Sequence, residues 1–471
     1  MKQGLFMENP RPTGMRAFTI VWLGQFVSIL GTSMTQFALT IWSWRFVTEI
    51  QPVADPATAY ALVGVSNYLP QVLFSPIAGV LVDRWNRKLT MMLVDLAAGI
   101  STIAIFLLYL TGELQIWHLY VAGAFTGIFQ SFHFPAYSAA ISTMVPKAQY
   151  ARADALLGLA ESIPFILAPI FASFLLGVIG IAGVMVIDIV TFTAAVIALL
   201  LVHIPQPAMT QAGAESRKSF WVEITYGFRY IFARPSLLGL QLVFLFGNLL
   251  HGLSMSLQAP MILSRTGNSE TTLGIVQAAM GIGGVVGGVI MASTGGLKRR
   301  VHGVLGGWII TSILSTMLFG IGQGLIPWLI AAFVGAFIGI SVINASNQAI
   351  WQSKVEPDVQ GRVFGVRRLI AQIVGPLGMI LSGPLADRLF EPAMQTDGMW
   401  AGTFGWLVGT GSGAGMALMM VIAGAITVLV GVIGYSIPAI RNVEDILPDH
   451  EAKTVDDPVG EVMADAPAVA S

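Results

Sequence analysis

Apolar runs too long for a soluble core dominate this chain. Near 17–46, 58–82, 89–111, 115–145, 153–178, 181–202, 235–263, 271–293, 303–322, 325–353, 363–389 and 414–440, stretches of some twenty residues or more carry few charges. That is the length an α-helix needs to cross the hydrocarbon core of a bilayer. No water is available there to bond backbone N–H and C=O groups, so each crossing segment must satisfy its own, and a helix does so. The runs therefore predict an all-α integral membrane protein with twelve transmembrane helices. Composition agrees, since 55% of the 471 residues are hydrophobic and only 10% are charged, against about 25% charged in soluble proteins. The first run exceeds a signal-peptide core and lacks a small-residue cleavage site, so it reads as a retained helix. With no cysteine in the chain, disulfides, thiolate metal sites and cysteine nucleophiles are excluded.

Charge asymmetry orients the spans. With the amino terminus inside, 21 of the 24 Lys and Arg fall on the inner side and three, Arg45, Arg265 and Arg388, on the outer side. Under the positive-inside rule this predicts a multi-pass protein of the cytoplasmic membrane with both termini cytoplasmic. The same cuts divide the chain into an amino-terminal segment (1–16), a six-helix bundle (17–202), a linker (203–234), a second six-helix bundle (235–440) and a tail (441–471). Within the linker, FWVEITYGFRYIF sets Trp221, Ile224, Phe228 and Ile231 at helical spacing, which predicts an amphipathic helix along the membrane surface. The tail holds 8 of the 25 acids and few large apolar residues, and is expected to be disordered. The bundles echo each other. Pro146, Gln149 and Arg152 recur, with one gap, as Pro357, Gln360 and Arg362, and cations follow both the second span and the eighth (Lys298, Arg299, Arg300). Two pseudo-symmetric parallel repeats place a substrate site between them near the middle of the membrane.

Between the second and third spans stands Gly79-x-x-x-Asp83-Arg84-x-x-Arg87-Lys88. Asp83 lies at the carboxyl end of its helix, where the helix dipole disfavours an anion. It needs an outside partner, such as the free N–H groups at another helix's start. Gly79, one turn earlier, permits close approach of a neighbouring helix. The cations Arg84, Arg87 and Lys88 are explained by topology alone, or as ties to nearby acids such as Asp154. This loop resembles the signature of the major facilitator superfamily, although the family form has glycine where this chain has Asn86. The Pro-x-x-Gln-x-x-Arg repeat, the stretch LSGPLADRLFEPA and the glycines before the last span resemble the drug exporters related to macrolide and enterobactin efflux proteins. The resemblance implies a gate in which Asp83 meets the start of the eleventh helix, near Arg362 to Arg367, and so joins the halves. It also implies a cavity lined by spans one, four, seven and ten. Two departures leave the coupling ion and the direction of transport open. The fourth span carries no cation apart from His133, and Ala168-Pro169 stands in the fifth span where such exporters often show Gly-Pro.

Acids at membrane depth are costly and so invite a functional reading. Asp95, Glu161 and Asp188 qualify. Glu161, within GLAESIPFILAP, is placed to bind a cationic substrate or exchange a proton, or else to pair with Arg152. Polar groups gather in the four spans named above: Gln25 and Gln36; Gln130 and His133; Asn248, His251 and Gln258; Asn344, Asn347 and Gln348. The last three share one helical face. Such residues either line a wet cavity or hydrogen-bond between helices. Glycines 283, 284, 287 and 288 give overlapping small-xxx-small steps that predict tight packing. GTGSGAG at 409–415 imitates a nucleotide loop, but no strand precedes it and no Gly-Lys-Ser/Thr follows. With no zinc-protease motif, nucleophile elbow or ATP loop, the chain reads as a secondary transporter and not an enzyme. The expected cargo is a small amphipathic molecule, exported by alternating access. Membrane lipids and a proton or other ion are the expected partners, with no cofactor, metal or nucleic acid, and the chain is expected to act as a monomer. A siderophore or lysolipid carrier, or a non-transporting sensor or scaffold, are the alternatives.

Overall fold

The computed structural model describes residues 14–82, 85–145, 149–202, 204, 220–356 and 359–448. Every regular element among them is helical. The first part of the chain forms α1 (Gly14–Arg45), α2 (Pro56–Val82), α3 (Arg87–Leu110), α4 (Ile116–Met144) and α5 (Tyr150–Leu201). A surface helix, α6 (Phe220–Phe232), leads into α7 (Pro235–Arg265), α8 (Glu270–Thr294), α9 (Arg300–Ile321) and α10 (Leu325–Lys354). The chain ends in α11 (Gln360–Leu385, continued by a wider π turn at Ala386–Phe390), α12 (Ala401–Val408) and α13 (Ala414–Ser436). Among the described residues, nine helical stretches are long and apolar enough to cross a membrane, so the protein is an all-α, multi-pass membrane protein.

Two of the tightest expected borders fall on single glycines. α5 breaks into two rods at Gly180, whose φ is +65° and ψ −176°, a region that an L side chain rarely enters. Gly324, at φ +111°, ends the connection into α10 in the same way.

Small residues set how closely the helices approach. Lipid offers no hydrophobic drive between helices, so contact depends on close packing. A Cβ at Gly127 of α4 would fall 2.1 Å from Asn67 O of α2, and one at Gly378 of α11 would fall 2.2 Å from Leu249 O of α7. Of the four glycines in α8, Gly283 and Gly287 press on α10, against Phe333 O and Phe337 O. A Cβ at Gly288 would meet nothing within 4 Å, and one at Gly284 nothing nearer than 4.0 Å. The expected double row is thus a single one, because one helix face meets one neighbour.

The apolar packing is arranged unevenly along the molecule. At the end that holds Asp55 it forms one cluster drawn from both parts of the chain, including Trp44, Met185, Met261 and Trp328. At the opposite end it divides in two. Phe18, Val94 and Leu199 pack within α1–α5, while Ile231, Leu305 and Trp351 pack within the later helices. Ile231 shows that α6 lays its apolar face on the second part of the chain; the side chains of Trp221 and Ile224 lie outside the described residues.

Two further segments depart from expectation. Residues 441–448, assigned to the tail, are folded against the second part of the chain. Glu444 accepts from Val301 N at 2.9 Å, and Lys354 Nζ donates to Glu444 O and Leu447 O, each at 2.6 Å. Acids that promised only solvation are here used on a helix N-terminus. The GTGSGAG loop, with Gly409, Gly411 and Gly413 at positive φ, does lead to an anion at the start of α13. The anion is the chain's own Glu391, which accepts from Gly413 N at 3.1 Å and Met416 N at 2.8 Å.

Candidate functional site

Polar side chains collect in three places, and the first is a clasp at the Asp55 end. α2 begins there, and its first N–H groups have no partner within their own helix. Asp387, in the π turn that prolongs α11, supplies one. Ala57 N donates to Oδ1 at 2.9 Å, while Thr58 N and Thr58 Oγ1 each donate to Oδ2 at 2.7 Å. Gly383, one turn earlier, lets the backbones touch, since a Cβ there would lie 2.4 Å from Thr58 Cα. Beside it, Arg388 pairs with Asp55 at 2.7 Å, and this hydrogen bond holds the Asp55 carboxyl below its ordinary value. A second tie joins α1 to the α7–α8 connection. Arg45 pairs with Glu270 at 2.9 Å and donates to Asn268 O at 3.0 Å, and Asn268 Nδ2 donates to Glu49. Both ties link the part of the chain before residue 202 to the part after 235.

The second place is a cavity of about 1090 Å³ in the half of the molecule away from the clasp. Asn248 and His251 reach it from α7, Asn344, Asn347 and Gln348 from α10, Arg367 and Arg368 from α11, and Tyr68 from α2. Arg367 donates to Gln348 Oε1 at 2.6 Å and lies over the rings of Trp351 and Phe364. Asn344 Nδ2 donates to Gly339 O and Ile340 O, carbonyls released by the widened π stretch Gly335–Ile343. The expected shared face of Asn344, Asn347 and Gln348 is therefore present. The cavity's described lining carries two arginines and no carboxylate. Gln258 borders an adjoining, largely apolar space of about 250 Å³, together with Trp308 and Phe319.

The third place lies within α1–α5. Gln25 is 2% exposed and donates to Asp95 Oδ2 at 2.6 Å, with His133 Nε2 3.4 Å from its carbonyl oxygen. Asp188 accepts from Thr32 and Thr102, and shares a space of about 460 Å³ with Gln36 and Gln130.

The loop after α2 is partly described. Gly79 lies on α2, while Asp83 and Arg84, like the side chains of Glu161, Arg152, Asp154 and Arg362, lie outside the described residues. Asn86, the departure from the family form, caps α3 by accepting from Leu89 N at 3.1 Å. Arg87 opens that helix. Lys88 Nζ donates to Leu200 O at 3.2 Å and Val202 O at 2.7 Å. It thus serves the carbonyls that end α5, where a cation suits the helix dipole.

Sequence reasoning missed Asp387, Arg388, Asp55 and Thr58. A signal was present, because Gly383-x-x-x-Asp387-Arg388 repeats the spacing of Gly79-x-x-x-Asp83-Arg84.

With this geometry in place, the chain was compared with known proteins. The profile of the Major Facilitator Superfamily matches residues 21–379. Macrolide efflux protein A of Streptococcus pyogenes is 28% identical over 382 residues, covering 79% of this chain and 90% of that one. Multidrug efflux pump Tap of Mycolicibacterium fortuitum is 29% identical over 339 residues, 69% and 80% of the two chains. Enterobactin exporter EntS of Escherichia coli is 25% identical over 415 residues, 86% and 92%. Among solved structures, an inward-facing, unoccupied bacterial homolog of the human lysosomal transporter Spinster superposes with a TM-score of 0.61 at 16% identity, covering 88% of this chain and 95% of that one. An inward-facing bacterial homologue of the iron transporter ferroportin gives 0.59 at 14% identity, covering 88% and 99%.

Proposed function

The chain belongs to the Major Facilitator Superfamily, and from that premise we propose that it is an exporter of small amphipathic molecules standing in its inward-open state. It is a secondary transporter and not an enzyme. In this reading the nine long apolar stretches are joined by α2, by α4 and by the division of α5 at Gly180, giving twelve spans in two six-helix halves. The Asp55 end is the outer face, as the distribution of cations predicts.

The observation that carries the reading is the uneven packing. The halves share one apolar cluster and a polar clasp at the outer end, and keep separate clusters at the inner end beside the 1090 Å³ cavity. Rocking the halves would exchange which end is joined, which is alternating access. Macrolides, enterobactin and assorted drugs are the cargoes named for the relatives. Here the cavity's Asn, Gln and His side chains suit hydrogen-bond acceptors, and Arg367 and Arg368, with no carboxylate in the described lining, favour a neutral or anionic head over a cationic one.

Purified carrier in liposomes, offered cationic, neutral and anionic drugs, siderophores and lysolipids with and without ion gradients, tests the proposal. Gradient-dependent export of neutral or anionic amphipaths, weakened by Asn248→Leu and Arg367→Gln, is the expected result. Flux that ignores every gradient, or transport restricted to cations, overturns it.

A further inference from the structure

Deep in the first half, apart from the large cavity, a carboxylate is surrounded by hydroxyls and meets no cation among the described residues. Asp188, on the second rod of α5, is 2% exposed. Thr32 Oγ1 of α1 donates to its Oδ1 and Thr102 Oγ1 of α3 donates to its Oδ2, both at 2.9 Å. Thr35, nearly one turn beyond Thr32, is 4% exposed. Its Oγ1 lies beside the same carboxylate without a hydrogen-bond partner among the described residues. Gly31 lets α1 close on this point, since a Cβ there would fall 3.3 Å from Asp188 Oδ1. The adjoining space of about 460 Å³ is lined also by Gln36, Asn67, Ser101 and Gln130, and no Lys, Arg or His is among its described lining.

A lone carboxylate at membrane depth must be neutralised or paired. A proton would neutralise it, yet protonation needs neither Thr32 nor Thr102, and the donation of these two hydroxyls favours the anion. Each hydroxyl that donates to the carboxylate keeps lone pairs to offer elsewhere. Carboxylate and hydroxyl oxygens are hard donors suited to hard cations. A single negative charge balances a monovalent ion, whereas a divalent ion would leave the buried site with a net positive charge.

We propose that Asp188, Thr32, Thr35 and Thr102 form a sodium-ion site, separate from the substrate cavity, through which a sodium gradient drives the carrier. Its role in coupling rests on the transporter reading, but ion binding is measurable without transport. The site joins α1, α3 and α5, so occupancy would tie together three helices of the first half.

The test follows thermal unfolding and tryptophan fluorescence of the detergent-purified carrier during titration with NaCl. KCl and choline chloride at equal ionic strength, and an acid titration without sodium, serve as parallel arms. A saturable response to sodium alone is expected, absent in Asp188→Asn and shifted about tenfold in midpoint by Thr102→Val, which removes one oxygen ligand while keeping its shape. Thr102→Val also keeps the test decisive if Asp188→Asn does not fold. Equal responses to sodium and potassium, a response to acid alone, or a sodium midpoint unmoved in a folded Thr102→Val variant would each overturn the assignment. Sodium binding without sodium-driven flux in liposomes would keep the site and reject its coupling role.

Discussion

Removing the charge of Asp387 should open the outer face. In the closed arrangement its carboxylate accepts three hydrogen bonds from the start of α2. Once the ends part, water meets the same carboxylate, so only the difference between the two settings counts. A hydrogen bond to a charged group contributes a net of about 1.5–3 kcal/mol, and an anion at a helix N-terminus adds about 0.3–1 kcal/mol. Asp387→Asn keeps the shape and one carbonyl oxygen but loses the charge and the second acceptor. It should therefore cost the clasp roughly one such hydrogen bond plus the dipole contribution, about 2–4 kcal/mol, which moves the closed-to-open ratio by about 30- to 900-fold. The chain has no cysteine, so spin labels can be placed directly by Val53→Cys and Met399→Cys at positions 40% and 79% exposed. Double electron–electron resonance between them reports the separation of the two halves at this end. A long-distance population should appear in Asp387→Asn. Arg388→Gln, which breaks only an exposed pair with Asp55, should change it less and in a salt-dependent way. An unchanged distance distribution in a folded Asp387→Asn carrier would refute the reasoning, because three hydrogen bonds would then contribute nothing to closure.

The remaining predictions follow the same geometry. Asp55 is held below its ordinary value by Arg388, so its share of outer closure should be complete above the usual carboxylate range. That share is lost as pH falls through the lowered value; the difference in label distance between the parent and Asp55→Asn should vanish in strong acid. Gly180→Ala should lower the unfolding temperature, since φ of +65° with ψ of −176° strains an L side chain by about 1–3 kcal/mol. Gly177→Ala meets nothing within 4 Å and has no positive φ, so it should be nearly neutral in the same melt. Under the proposal that Asp83 closes the inner end, Asp83→Asn should shift the label distances opposite to Asp387→Asn, and a shift in the same direction would reject it.

What could be read from the sequence was whatever a helix determines by itself. Span lengths, the breaks near Gly180 and Gly324, and the common face of Asn344, Asn347 and Gln348 follow from residue spacing along one rod. Partners across rods were less legible. Gln25 was weighed as lining a cavity or bonding between helices, and it bonds Asp95, a buried acid on α3 that nothing near Gln25 in the sequence announces. Lys88 was weighed against acids, and among the described residues it also donates to carbonyls at the end of α5. Backbone acceptors leave no mark in a sequence, whichever side chain they bind. The GTGSGAG loop meets an anion of the chain itself, Glu391, which stands some twenty residues away with nothing local to announce it.

The clasp shows why the informative comparison lay within the chain. A carboxylate at the carboxyl end of a helix opposes that helix's dipole, so its presence asks for a second helix that begins at the same point. α2 and α11 run antiparallel where they touch, so each starts where the other ends. At the Asp55 end the requirement is met, with Asp387 of α11 set on the first N–H groups of α2 and Gly383 allowing the contact. Gly79-x-x-x-Asp83-Arg84 gives α2 the same ending at the opposite end, where α11 begins. Helices so paired cannot be held at both ends while the halves rock. Under the proposal that Asp83 closes the inner end, the repeated spacing is one device used twice, with each copy stabilising a different state of the carrier. Asp83, taken alone, named an acid in search of a helix; Asp387 identifies the kind of partner it needs.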